Sequence, residues 1–173
     1  MYQLIRFWLK SIFIKDNISA SAECCVSFRV KPWDCDPNWH MTNSRYFTYM
    51  DYARFWRYFH MGVFKDVFIK KKWMPMAVSQ EITYIKDISP LEKFEVRSKL
   101  AGWDEKYVYM AQDFYGKKGL CAKAMIRGVF VHNKKPVSIE KVMQAFGSPP
   151  QVEAYRERIT AWKRVLELKK AES

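Results

Sequence analysis

The chain reads as an α+β domain in which one long apolar helix is wrapped by a five-stranded antiparallel sheet. Three observations predict this. Five segments alternate apolar and polar residues with period two; an apolar stretch with helical spacing lies between the first and second of them; and the last three segments follow one another through short turns, as in an antiparallel meander. An N-terminal amphipathic helix and C-terminal helices flank this body. At 173 residues with 49% hydrophobic content, the chain has enough apolar material for one buried core. Six glycines, seven prolines and the lack of any repeat leave little for a long linker. The expected organisation is an amphipathic segment over 1–20, the helix-and-sheet domain over 21–147 and a C-terminal helix over 148–173.

The opening stretch "MYQLIRFWLKSIFIK" is too short and too charged to span a bilayer, which takes about 20 apolar residues. It also lacks the small-residue cleavage site of a secretory signal. On a helical wheel Gln3, Arg6 and Lys10 oppose Ile5, Trp8, Leu9 and Ile12. That pattern suits a peripheral contact of residues 1–15 with an anionic membrane, and equally a helix docked on the protein's own core or on a second subunit.

The first strand is "ECCVSFRV", with Cys24, Val26, Phe28 and Val30 on one face. A helix from about Ser44 to His60 follows, with Gly62 as its C-terminal stop. Its polar residues Arg45, Thr48, Asp51, Arg54 and Arg57 recur every three positions, so the polar stripe drifts and most of the cylinder is expected to touch protein. Asp51 and Arg54 are spaced to pair along it.

In "AVSQEITYI", Val78, Ile82 and Tyr84 share a face, and in "FEVRSKLAGW" Phe94, Val96 and Leu100 oppose Lys93, Glu95, Arg97 and Lys99. "YVYMAQDFY" and "LCAKAMIRGVFVH" are separated by the turn "GKKG", Gly116 to Gly119. Beyond them Ile139, Val142, Met143 and Phe146 fall on one helical face, capped by Ser138 and stopped by Gly147. After Pro149 and Pro150, Val152, Tyr155, Ile159, Trp162 and Leu166 form a packing stripe. It is too short for a free coiled coil and faces the body or a partner chain.

A formal net charge of +12 attracts polyanions: nucleic acid, an anionic membrane face or a phosphate-rich cofactor such as coenzyme A. None of the common nucleic-acid-binding patterns is present, so nucleic acid is not expected as a partner. Cys24, Cys25, Cys35 and Cys121 have neither metal-ligand nor disulfide-framework spacing, which predicts no metal site and a reducing, cytoplasmic setting, membrane-associated if residues 1–15 touch lipid.

The polar chemistry gathers at the mouth of the apolar helix, in "WDCDPNWHMTNSRYFTYMDYAR", Trp33 to Arg54. Asp36 precedes a chain-stiffening Pro37, and the N–H groups of a helix start favour developing negative charge. A loop aspartate also commonly accepts backbone hydrogen bonds in a turn, and Asn43 suits a side-chain N-cap as well as a backbone donor. "DCDP", Asn43 seven residues after Asp36, and "YMDYAR" together resemble the 4-hydroxybenzoyl-CoA thioesterase branch of the hotdog superfamily, in register from Asp36 to Asp51. "HMTNSRY" and "LEKFEVRSKLAGWD" are similar to segments of the animal proteins called thioesterase superfamily member 6, over roughly Arg29 to Phe146.

The resemblance implies a hotdog fold and hydrolysis of an acyl-CoA to free acid and thiol. In that reading Asp36 is nucleophile or general base, the backbone N–H at Asn43 polarises the thioester carbonyl, and His40 orients the thioester, bonds to Asp36 or acts as an acid. No cofactor is implied, since coenzyme A is part of the substrate. The resemblance also implies a homodimer or higher homo-oligomer with the acyl chain between subunits. Tyr46, Phe47 and Met50 are candidates to line that tunnel, although core packing accounts for the same residues. Asp34 is expected to be structural or to support the site without touching the thioester, and Thr42 departs from the asparagine of the animal proteins. A hotdog hydratase would carry D-x-N-P-x-H; here Asp36 stands in place of that asparagine and His40 comes one residue late. The remaining alternative is a non-catalytic acyl- or membrane-binding module of the same shape.

Overall fold

The computed structural model describes residues 18–172. The amphipathic segment expected over 1–15 lies outside the described residues. The elements are β1 (Cys24–Arg29), a 3-10 turn (Pro32–Asp34), α1 (Asn43–His60), a π-helical turn (Lys65–Lys70), β2 (Met74–Tyr84), β3 (Lys93–Trp103), β4 (Val108–Gly116), β5 (Gly119–His132), β6 (Lys135–Pro136), α2 (Ile139–Ala145), a second 3-10 turn (Glu153–Tyr155) and α3 (Arg156–Ala171).

The five predicted strands form one antiparallel sheet in the order β1-β3-β4-β5-β2, and a two-residue β6 pairs with the end of β5 as an addition to them. Period-two alternation sorts the side chains between two faces. From β3, Phe94, Val96 and Leu100 are buried on the inner face with Phe114 and Met110 of β4, beneath Tyr46, Tyr49, Met50 and Tyr58 of α1. On the outer face Ala101, Tyr109, Ala111 and Met125 receive Tyr155 from the second 3-10 turn and Ile159, Trp162 and Leu166 from α3. The stripe therefore packs on the body of its own chain. α2 buries Ile139, Val142 and Met143, with Phe146 just beyond its end, against Tyr58 and Phe130 and closes one end of the inner layer.

α1 begins one residue earlier than the pattern suggests and ends at His60, with Gly62 at φ +70° taking the left-handed conformation that stops it. Arg57 is 2% exposed, and its guanidinium donates to the carbonyls of Ala20 (2.5 Å), Ala22 (2.7 Å) and Ser98 (2.9 Å), tying the chain ahead of β1 and the middle of β3 to the helix. A polar residue of the drifting stripe thus serves as an internal clamp. Asp51 and Arg54 pair as their spacing predicts, and Arg54 reaches on to Gln112.

β2 departs from its predicted burial. A bulge between Ala77 and Ser79 leaves Val78 unmatched in the ladder and 48% exposed, with Met74 and Met76 also half in solvent. The cause is position: β2 is one of the two edge strands, paired only with β5, so one of its edges and part of each face lie open in the single chain.

Candidate active site

The segment from Lys31 to Thr42 is a loop pinned at both ends. The 3-10 turn closes through Asp34 N–H to Lys31 O (2.8 Å), an isolated antiparallel bridge joins Cys35 to Met41, and Thr42 N–H donates to Asp34 O (2.9 Å). Met41 N–H donates to Ile88 O (3.0 Å), which ties the loop to the segment that follows β2. Inside the pinned ends Asp36 N–H bonds to His40 O (2.9 Å), so residues 36–40 form a tight projection directly ahead of α1.

The two aspartates of this loop have different surroundings. Asp34 is 4% exposed, and its carboxylate accepts from the Tyr49 hydroxyl (2.6 Å), the Lys31 N–H (3.1 Å) and the Arg45 guanidinium (3.0 Å). Burial, with the hydroxyl's donation to Asp34, pushes the Tyr49 phenol well above its ordinary value. Asp34 is consumed in holding the loop on α1. Asp36 is half-buried and uses one oxygen, Oδ1, to accept the N–H groups of Asn38 (2.9 Å) and His40 (3.2 Å); its Oδ2 has no hydrogen-bond partner among the described residues. One oxygen fixes the orientation and the other is left accessible.

At the helix start Thr42, extended at φ −64° and ψ 149°, occupies the cap position, so Asn43 is the first helical residue and not the side-chain cap. Thr42 makes no side-chain capping bond; its hydroxyl lies 3.1 Å from that of Ser44. The N–H groups of Asn43 and Ser44 have no backbone acceptor among the described residues, and the first turn carries no acidic side chain. Unpaired donors with a helix dipole behind them favour an anion or a developing oxyanion.

His40 touches Asp36 through its backbone alone. Its imidazole Nε2 sits 3.6 Å from Asp87, whose carboxylate is also bonded to the Lys118 ammonium (2.7 and 2.8 Å). The Lys118 bond, with His40 nearby, holds the Asp87 carboxyl below its usual range. Asp87 and Lys118 come from the β2–β3 connection and the β4–β5 turn; the charge of Lys118 suits a phosphate contact as read from the sequence, but its pairing with Asp87 shows only in the fold.

Tyr46 and Met50 lie in the core, 3% and 0% exposed, with the Tyr46 ring against Tyr84 and Phe114 at 5.0 and 4.9 Å; Phe47 is half-buried against the same cluster. Farther along α1, a cavity of about 330 Å³ opens between Phe55 and Tyr58 of the helix, Met76 and Gln80 of β2 and Phe130 of β5, with the Asp51–Arg54 pair also lining it. Arg54 donates to Gln112 Oε1 (3.1 Å), and Gln112 in turn donates to Met50 O (3.1 Å) and Ser98 Oγ (2.8 Å). Gln112 is fully buried, and the available signal is its place as a lone polar residue on the apolar, inward side of β4 between Met110 and Phe114. Among the described residues no group of three His, Cys, Asp or Glu side chains is placed to hold a metal ion, and no helix is long and apolar enough to cross a membrane.

A family model, the thioesterase-like superfamily, matches residues 30–147, which begins just after β1 and takes in the aspartate loop, α1 and the whole meander. The chain belongs to the thioesterase-like superfamily. Its curated relatives include a probable thioesterase of Saccharomyces cerevisiae, YBR096W, 29% identical over 67% of this chain and 51% of that protein. Protein THEM6 of Danio rerio is 34% identical over 62% of this chain and 56% of that protein, and Protein THEM6 of Xenopus laevis is 30% identical over 77% and 63%. The matches thus span about half to two thirds of those relatives' own lengths.

Solved structures of the superfamily share the fold at low identity. The 4-hydroxybenzoyl-CoA thioesterase of Pseudomonas sp. strain CBS-3 superposes with a TM-score of 0.60 at 14% identity, over 71% of this chain and 98% of that one. The gentisyl-coenzyme A thioesterase BH1999 does so with 0.61 at 19%, over 72% and 99%. The fold expected from the sequence is therefore the one observed.

Proposed function

We propose that the chain is an acyl-CoA thioesterase, with Asp36 acting on the thioester and the N-terminus of α1 receiving the carbonyl oxygen. The observation that carries this reading is the juxtaposition in the pinned loop: a carboxylate with one oxygen committed to backbone donors and the other open, directly ahead of a helix start with unpaired N–H groups and no acidic side chain. The Asn43 N–H polarises the carbonyl and stabilises the oxyanion as it forms. Asp36 either attacks the carbonyl carbon, giving an enzyme anhydride that water then cleaves, or removes a proton from the attacking water. Coenzyme A thiol leaves in either route. His40, aimed at Asp87, acts as a positioning residue: its N–H holds Asp36, and its imidazole ties the loop to the β2–β3 connection.

The acyl chain is assigned to the groove between α1 and β2, starting beside Phe47 and ending in the cavity at Phe55 and Tyr58. From Asn43 to Phe55 the helix rises roughly 18 Å, a span that suits a long aliphatic acyl chain better than a single aromatic ring. The groove's outer wall is formed by a second copy of the chain across the free edge of β2, where Met74, Met76 and Val78 are exposed. The test is thiol release from short, aromatic and long-chain acyl-CoAs alongside the sedimentation state. Highest kcat/KM on long chains by a dimer is the expected result. Turnover of aromatic thioesters in preference to all aliphatic ones would overturn the assignment of the groove, and binding without turnover of any of them would leave an acyl-binding module of the same shape.

A further inference from the structure

Four apolar side chains stand out in solvent at one end of the sheet, and the aspartate loop projects from that same end. Trp33 is 68% exposed, Trp39 67%, Leu91 58% and Ile85 48%. Trp33 and Trp39 flank Asp36 three residues to either side. Leu91 belongs to the adjoining connection, where its N–H donates to Val30 O (3.0 Å) and its carbonyl accepts from Arg29 (2.6 Å). Trp39 and Leu91 are held at φ +59° and +61°, a left-handed conformation that bulky side chains rarely adopt, and the turns that impose it direct both side chains outward.

Charge surrounds these residues with one sign. Arg29, Lys86, Lys93 and Lys117 are exposed at this end and form no ion pair among the described residues, and the Lys31 ammonium lies 5.5 Å from the centre of the Trp33 ring. The acids of the same end are occupied. Asp34 is buried under Arg45, Asp87 is held by Lys118, and Glu92 is 6% exposed and accepts the N–H groups of Ser89 and Lys117. Asp36 and Asp87 are both half-buried, and of the two Asp36 has no ion-pair partner among the described residues.

We propose that this end of the molecule, led by Trp33, Trp39 and Leu91, docks on an anionic bilayer surface and seats the mouth beside Asp36 at the lipid interface. Indole rings partition to the headgroup level, where an apolar body and one N–H donor are both accommodated, and each exposed Lys or Arg adds attraction to anionic lipid. The face lies at the other end of α1 from Ile18, the first described residue. Ile18 N–H bonds to His60 O (2.9 Å), at the opposite end of α1, roughly 25 Å from its start. Docking is independent of the chemistry. Its consequence, delivery of an amphipathic thioester from the membrane to the loop, rests on the proposed function.

The test uses the full chain and is read without turnover. Partition onto vesicles of phosphatidylcholine with and without phosphatidylserine is measured by sedimentation for the wild type, Trp33→Ser with Trp39→Ser, Leu91→Ser, and Lys93→Glu with Lys117→Glu. Far-UV circular dichroism confirms folding, and hydrogen exchange is followed on vesicle addition. The account expects stronger binding to the anionic vesicles and a loss of about tenfold or more in the tryptophan double variant. It also expects loss of the phosphatidylserine preference in the charge-reversed variant, and slowed exchange over residues 31–41 and 89–93. Wild-type partition in all variants, with protection confined elsewhere, would overturn it. So would variants that change self-association without vesicles, which would make the face a contact between copies. Retention of an acidic carrier protein with no vesicle binding would assign the surface to that protein instead.

Discussion

Replacement of Asp34 by alanine tests the claim that this carboxylate, and not its neighbour, holds the site together. The substitution removes the acceptor of three donors. The Tyr49 hydroxyl, in a residue 3% exposed, loses its 2.6 Å partner and keeps only the longer 3.4 Å approach to Arg29 O, which costs about 1–3 kcal/mol. The half-buried Lys31 N–H loses its 3.1 Å bond, which adds about 1 kcal/mol. Arg45 is 39% exposed, so its guanidinium rehydrates and adds little. The expected destabilisation is roughly 2–4 kcal/mol, or a fall in Tm of about 5–15 °C for a domain of this size. Urea and thermal unfolding of Asp34→Ala, Tyr49→Phe and the double variant measure it, and the cycle should return a coupling of about 1 kcal/mol or more between the two side chains. Asp36→Ala, which loses two bonds at a half-exposed position, should cost no more than about 1 kcal/mol. If Asp34→Ala were as stable as the wild type, or Asp36→Ala the more damaging to folding, the division of labour between the two aspartates would be refuted.

Three further outcomes follow from other parts of the molecule. At Asp104 burial alone would push the carboxyl up, but the N–H groups of Lys106 and Tyr107, the Tyr109 hydroxyl and the Lys163 ammonium outweigh it and hold it below its ordinary value. Its stabilising contribution is complete above the unfolded carboxylate pKa of about 4 and is lost as the pH falls through the lower folded value, so Asp104→Asn should flatten the acid side of the stability profile measured by urea titration. Burial pushes the Cys24 thiol up to about 11, while Arg57 partly opposes it, so iodoacetamide at pH 8 should label the exposed Cys25 and spare Cys24 until urea is added, as read by peptide mass spectrometry. A methyl group added at Gly116 would fall 2.5 Å from Glu92 Oε1 and 3.1 Å from Cys121 Sγ, and Glu92 is tethered by two N–H donors, so Gly116→Ala should lower stability by about 1–3 kcal/mol in the same unfolding assay.

Much of the fold is written in local periodicity. The alternation of Phe94, Val96 and Leu100 against charged neighbours, the buried spacing of α1 and the stripe from Tyr155 to Leu166 all specify elements and faces by nearest-neighbour geometry. What escaped depends on residues far apart in the chain. The two-residue β6 and the π-helical turn are too short to show a period, and the exposure of Val78 depends on β2 lying at the sheet's edge beside a bulge. The site follows the same division. "DCDP" and the helix start mark the loop and the resemblance already sets Asp34 apart as structural, but the partners that bury it, Tyr49 and Arg45 folding back from α1, show only in the fold. The imidazole of His40 is turned toward Asp87 of the β2–β3 connection, and Asp87 is itself held by Lys118 from the β4–β5 turn. Gln112 was the more readable omission, since a polar residue on an inward apolar face requires partners, here Arg54, Met50 and Ser98.

The central claim is that Asp36 performs the chemistry on a thioester, and the most direct measurement is kcat and KM for long-chain acyl-CoA hydrolysis by the wild type, Asp36→Asn and Asp36→Ala, each confirmed folded by its unfolding curve. The account predicts a fall in kcat of about a hundredfold or more in both variants with stability nearly unchanged. Turnover in both variants at the wild-type rate would contradict it and remove Asp36 from the reaction.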